Sequence, residues 1–112
     1  MKSCGYKAIY YLLKKYSINY KKDMYKEYSF KDFYDICSSY GLLSNGFSCT
    51  TKEIKVPCIA HISKGTYQHY IYLIHVGKMC IYRDNCHIFG ILPTFLFNKI
   101  FSGKIFRIIN KK

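Results

Sequence analysis

The chain has 112 residues, half of them hydrophobic, enough for a single core and a single domain spanning residues 1–112. With 18 basic residues against 6 acidic, its net charge is +12 at pH 7, which raises nucleic acid, an anionic membrane and an acidic peptide as partner classes. The cations are spread along the chain and only Arg83 and Arg107 are arginines, which argues against a dedicated phosphate-reading surface.

Six cysteines would suit a disulfide framework in a secreted protein. The start of the chain does not read as a signal peptide, and the longest nearly uncharged stretch (residues 65–77) is too short and too polar to span a bilayer. The expectation is a cytoplasmic, reducing compartment with most thiols free and buried.

In chain order, Ser3 reads as the cap of a helix over residues 4–16. Ala8, Ile9, Leu12, Leu13 and Tyr16 share one face, with Lys7, Tyr10 and Lys14 opposite. Cys4 opens this helix beside its apolar stripe, where unpaired N–H groups and the helix dipole favour a thiolate. Residues 19–28, polar and Tyr-rich, read as a short helix. Ser29 with Asp32 forms a capping box for a helix carrying Phe33, Ile36, Cys37 and Tyr40 on one stripe, stopped at Gly41.

Beyond Gly41 the apolar period becomes alternating. Strands are expected over residues 43–49, 56–62, 68–76, 79–83 and 104–109, with a short helix over 93–101. The run 68–76 is apolar or aromatic on both faces, as a central strand is. Helices followed by an antiparallel sheet make the fold α+β, with the N-terminal helices packed on the sheet.

Val76-Gly77-Lys78-Met79 reads as a two-residue hairpin turn in which Gly77 supplies a positive φ. If residue 76 faces 79, His69 faces Cys86, and Asp84 lies on the same sheet face one diagonal step from His69. Such diagonal neighbours are roughly 7–8 Å apart at the backbone, a gap that imidazole and carboxylate close with a hydrogen bond. A one-residue slip would abolish it. Cys4, His69 and Asp84 then supply a thiol, a base and an orienting group.

These residues lie within a wider pattern. "SCGYKAIYYLLKKYSI" resembles the Cys-Gly helix of the papain-like bacteriocin-processing peptidases that precede double-glycine-leader ABC exporters, and "SFKDFYDICSSYGL" is similar to their second helix. "VPCIAHI" resembles a strand of that family, "QHYIYLIHVGKMCIYRDN" its His- and Asp-bearing hairpin, and "FNKIFSGKIFRI" its closing segment. The resemblance implies a papain-like fold in which Cys4 is the nucleophile, His69 the general base and acid, and Asp84 the group fixing the imidazole tautomer. The implied reaction is hydrolysis after a Gly-Gly pair, releasing a leader from a small secreted peptide at the cytoplasmic face of the membrane, beside an exporter. No cofactor is implied.

Two departures stand against that pattern. Family members carry a Gln about six residues before the Cys, whose side chain donates to the oxyanion. This sequence starts three residues before Cys4, so the expectation is an N-terminus short by a few residues or a weakened site, since one lost oxyanion donor costs about 10²–10³ in rate. Asn85 follows Asp84 where the family has Pro.

Three alternatives remain. One is a degenerate domain of the same family that binds the leader or docks on the exporter without cutting. A second is a basic nucleic-acid-binding module, for which the sequence carries neither an RNA-recognition aromatic motif nor an Arg cluster. The third is a metal site drawn from His69, His75, Cys80, Cys86 and His87, but His69 and His75 stand about 20 Å apart along one strand and no CxxC or HxxxH spacing occurs.

Overall fold

The computed structural model describes residues 2–111. Its elements in chain order are α1 (Cys4–Lys14), α2 (Phe30–Ser39), β1 (Leu42–Ser48), a 3-10 turn (Thr51–Glu53), β2 (Cys58–Lys64), β3 (Tyr67–Val76), β4 (Met79–Arg83), β5 (Gly90–Pro93), α3 (Thr94–Ile100) and β6 (Phe101–Lys111). The six strands form one antiparallel sheet in the order β1-β6-β2-β3-β4-β5. The fold is α+β, as the change of apolar period at Gly41 predicts.

Each face of the sheet is covered, so alternate residues of the inner strands go to two separate cores. Ile59, Tyr72, Phe106 and Ile108 join Ala8, Ile9, Leu12 and Leu13 of α1 and Phe33 and Cys37 of α2 on one face. Cys58, Ala60, Ile71, Leu73 and Ile105 join Phe97 of α3 on the other. The run 68–76 therefore reads as apolar on both sides because β3 lies between β2 and β4 and is buried from above and below.

The helix starts follow the sequence. The Ser3 side chain accepts the Tyr6 N–H at 3.1 Å, and Ser29 and Asp32 form a reciprocal capping box. Gly41, at φ +73°, follows α2. The first helix ends at Lys14, two residues earlier than the sequence suggests, because Ser17 turns to φ 62°.

Residues 19–28 do not form the expected helix. Asp23 takes φ 51°, and tyrosine hydroxyls serve carbonyls that a helix would have paired. Tyr6 donates to the Tyr20 carbonyl at 2.8 Å, and Tyr28 reaches the carbonyls of Lys22 and Asp23 at 3.0 and 2.8 Å. Tyr20 and Tyr28 are buried, so the segment is pinned by its aromatic anchors instead of by local hydrogen bonding.

The β3–β4 hairpin also departs from its expected turn. Val76 faces Cys80 and His75 faces Ile81, one residue out from the two-residue turn, and Gly77 is not at positive φ. A bulge between Leu73 and His75 absorbs the extra residue. Tyr72–Arg83 and Leu73–Tyr82 then fall on the expected register. The positive-φ glycine sits in the preceding hairpin: Gly65, at φ +63°, opens the two-residue link between Lys64 and Tyr67.

Strand β5 was not foreseen. It is a four-residue edge strand pairing Gly90–Pro93 with β4, and its Pro93 lies at the sheet edge where a missing N–H costs no ladder bond. Strand β6 extends beyond the expected 104–109 at both ends because it is paired on one side by β1 and on the other by β2.

Candidate active site

Strand parity places His69 on the face of Ile71 and Leu73, away from α1. It nevertheless meets Cys4, because the sheet is open at one point. In β3 the even-numbered N–H groups point away from β2, since residues 67, 69, 71 and 73 pair with β2 through the turn-closing register. On the other side, β4 pairs with β3 only as far as Tyr72–Arg83. The Tyr70 N–H, one step further, has no strand partner there, and the start of α1 fills the gap.

The electrostatics of the thiol follow from that placement. Burial raises the Cys4 pKa, but the His69 ring and the N–H groups of Tyr70 and Gly5 outweigh it, and the net shift is downward. Burial acts the opposite way on His69, whose pKa is nonetheless raised by hydrogen bonds to Cys4 and Asp84 and by their charge. Opposite shifts in adjacent groups favour a thiolate–imidazolium pair. The other buried thiols contrast with this: burial pushes Cys37 up to about 11 and Cys58 up to about 12. All six cysteines are free.

Asp84 completes the line. His69 is 7% exposed and Asp84 6%, and His69 Nε2 lies 3.0 Å from Asp84 Oδ2. The second carboxylate oxygen accepts the N–H groups of Cys86 and His87 at 2.9 and 2.6 Å, and His87 Nδ1 lies 3.0 Å from it. Burial works to raise the Asp84 pKa, but the His69 bond, the two N–H groups and His87 pull it below the usual carboxylate value. A turn-opening Asp of this kind is locked in orientation by its own loop before it meets the imidazole. Asn85 ties the same loop to the chain start, its side-chain amide donating to the Lys2 carbonyl at 3.2 Å.

The three residues chosen from the sequence are thus brought into one chain of contacts. Sequence reasoning did not place three others in this site, one of which, His87, it weighed only as a metal ligand. His87 stands on Asp84, and the only sequence signal for it is its place three residues along an Asx-type turn. Tyr67 packs its ring on His69 at 5.5 Å with an interplanar angle of 24°, and its hydroxyl lies 3.2 Å from Nδ1. Its spacing of two from His69 was the available clue, since residues i and i+2 of a strand share a face. Gln68 lies on the opposite face and helps to wall the cleft.

That cleft, about 470 Å³, runs past the thiol. It is lined by Ser3, Cys4 and Gly5 at the start of α1, by Lys26, Glu27 and Tyr28 of the segment before α2, and by His61, Gln68 and Tyr70 of β2 and β3. Gly5 is what brings the segment before α2 close: a Cβ there would lie 2.6 Å from the Tyr28 Cβ. The Cys4 N–H, in the first turn of α1, has no acceptor within the helix. Among the described residues, no group of three or more His, Cys, Asp and Glu side chains is placed to hold a metal ion. Nor, among them, is any helix long and apolar enough to cross a membrane.

No family model matches the sequence, and no curated protein matches it. Solved structures do match the fold. The peptidase domain of Streptococcus ComA, a bifunctional ABC transporter of a quorum-sensing pathway, superposes with a TM-score of 0.79 at 16% identity, covering 98% of this chain and 93% of that one. A double-glycine-motif protease from an AMS/PCAT transporter, solved with its leader peptide, gives 0.76 at 18% identity over 98% of this chain and 85% of that one. The Streptococcus mutans ComA peptidase domain gives 0.70 at 15% identity, covering 97% and 93%. The chain therefore has the papain-like α+β fold of cysteine peptidase domains. Within that class, its architecture is that of the peptidase domains of ComA- and PCAT-type ABC transporters.

Proposed function

We propose that this chain is a cysteine peptidase domain that cuts after the Gly-Gly pair of a leader peptide, on the cytoplasmic side of an ABC exporter. The observation that carries this reading is the joined line Cys4–His69–Asp84 at the start of a helix, on the fold of transporter peptidase domains.

In this mechanism the Cys4 thiolate attacks the carbonyl carbon of the second glycine. The developing oxyanion takes the Cys4 N–H, and the thiolate's partner, protonated His69, passes the Nδ1 proton to the departing amine. Water then attacks the thioester, Nδ1 takes its proton, and the sulfur leaves as the thiolate beside the imidazolium, which is the starting state. Asp84 holds Nε2 throughout, leaving Nδ1 as the nitrogen that exchanges protons. The AMS/PCAT protease bound to its leader peptide supports a peptide as the occupant of the corresponding cleft here.

The test is cleavage of a synthetic Gly-Gly leader fused to a reporter. The wild-type chain should release the leader and Cys4→Ala should not. Equal cleavage by both would sink the reading. Leader binding without thiol-dependent hydrolysis would identify instead a domain that docks the leader and leaves the cut to another protein.

A further inference from the structure

We propose that Tyr67 is the gate on the leaving-group side of the thiol: in the free protein its hydroxyl holds the place on His69 Nδ1 that the departing amine must take. The inference rests on the peptidase reading for its enzymatic consequence, but the contact itself is independent of it.

His69 has two ring nitrogens, and Nε2 is committed to Asp84 Oδ2 at 3.0 Å. With Nε2 taken, Nδ1 is the nitrogen left for the Cys4 thiol on one side. On the other stands the Tyr67 hydroxyl at 3.2 Å. A peptide bound across the thiol would bring its scissile nitrogen to this same atom, because that nitrogen must receive the Nδ1 proton before the bond breaks. Hydroxyl and amine would compete for the one Nδ1 proton at hydrogen-bond distance, so substrate entry must move the phenol aside.

The phenol is built to move. Tyr67 is 59% exposed and opens β3 immediately after the Gly65-Thr66 turn, where only the β2 side of the strand is paired. Its ring lies 5.5 Å from the imidazole and near-parallel to it, and because the hydroxyl oxygen is fixed on the ring axis it leaves Nδ1 only when the whole ring turns out about χ1. The groups facing the imidazole are Cys4 from α1, Asp84 from the loop after β4 and Tyr67 from β3; Cys86 adds its field to that of Cys4 and Asp84 at Tyr67. In the free protein the phenol oxygen accepts part of the Nδ1–H bond that the imidazolium otherwise gives wholly to the Cys4 thiolate, and so weakens that pair. Tyr67 acts through His69 and is a positioning residue.

Tyr67→Phe keeps the stacked ring and removes only the hydroxyl. Two measurements read the result: KM and kcat for the Gly-Gly reporter, and the rate of Cys4 carbamidomethylation by iodoacetamide, a small reagent that needs no gate to open. The expected result is a KM lowered by about threefold to tenfold, the range one neutral hydrogen bond supplies, together with faster alkylation. An unchanged or raised KM, or unchanged or slower alkylation, overturns the proposal. Tyr67→Ala, which also removes the stack, is expected to lower kcat, and a kcat equal to wild type overturns the ring's part in it. Should the wild-type chain cleave no reporter, the peptidase reading fails while alkylation of Tyr67→Phe still decides whether the hydroxyl competes for Nδ1.

Discussion

Cys4 is one of six thiols in the chain, and its chemistry is set by what surrounds it. Cys37 and Cys58 are also enclosed, yet burial alone acts on them with little to oppose it and holds them as thiols. At Cys4 the same burial is outweighed by an imidazole and two N–H groups. The shifts of Cys4 and His69 point in opposite directions, so kcat/KM should follow a bell against pH. It rises as pH climbs through the lowered value of Cys4 and falls as pH climbs through the raised value of His69, both limbs belonging to the pair. Asp84→Asn removes a carboxylate that raises His69, so the alkaline limb should move to lower pH, with activity reduced by about 10²–10⁴-fold. A pH–rate profile of the variant with an unmoved alkaline limb would remove Asp84 from the proposed mechanism.

At the scale of elements, local rules held where the backbone supplied its own partners. The capping box of α2 is legible because Ser29 and Asp32 satisfy each other's N–H groups within four residues. Its loss is correspondingly local: Ser29→Ala should cost about 1 kcal/mol, read as a drop in denaturant midpoint without a change in slope. The segment 19–28 resisted sequence reading for the opposite reason. Its carbonyls are served by Tyr6 and Tyr28, one of which lies fourteen residues from its acceptor. Strand β5 was illegible because it is four residues long and owes its form to pairing with β4. In the β3–β4 hairpin, the extra turn residue and the bulge near Leu73 compensate each other, so the face shared by His69 and Asp84 came out as expected from a turn that did not.

Across the whole molecule, the aromatic core under α2 ties helices to sheet. Phe33 is fully buried, with rings of Tyr70, Phe106, Tyr28 and Phe30 at 5.1, 5.6, 5.8 and 6.1 Å. Tyr28 and Tyr70 also line the cleft beside the thiol. Phe33→Ala should therefore destabilise the chain by about 3–5 kcal/mol, the cost of a large buried ring and the cavity it leaves. Urea titration measures this loss; a change below about 1 kcal/mol would mean the core closes around the gap. The net charge of +12 bears on solubility and on the sign of a favoured partner, while the folded form rests on these apolar layers.

The sequence by itself determined the α+β class, the two capped helices, the central place of β3 and the common face of His69 and Asp84. Each of these follows from spacing along the chain, through helical or alternating period, capping chemistry or strand pairing. Only the tertiary structure decided how Cys4 reaches His69, since they start on opposite sides of the sheet and meet where β4 stops pairing with β3. It also placed His87 on Asp84 and the Tyr67 hydroxyl on Nδ1. Those contacts depend on where a strand ends and how a loop folds back, and no period in the sequence encodes them.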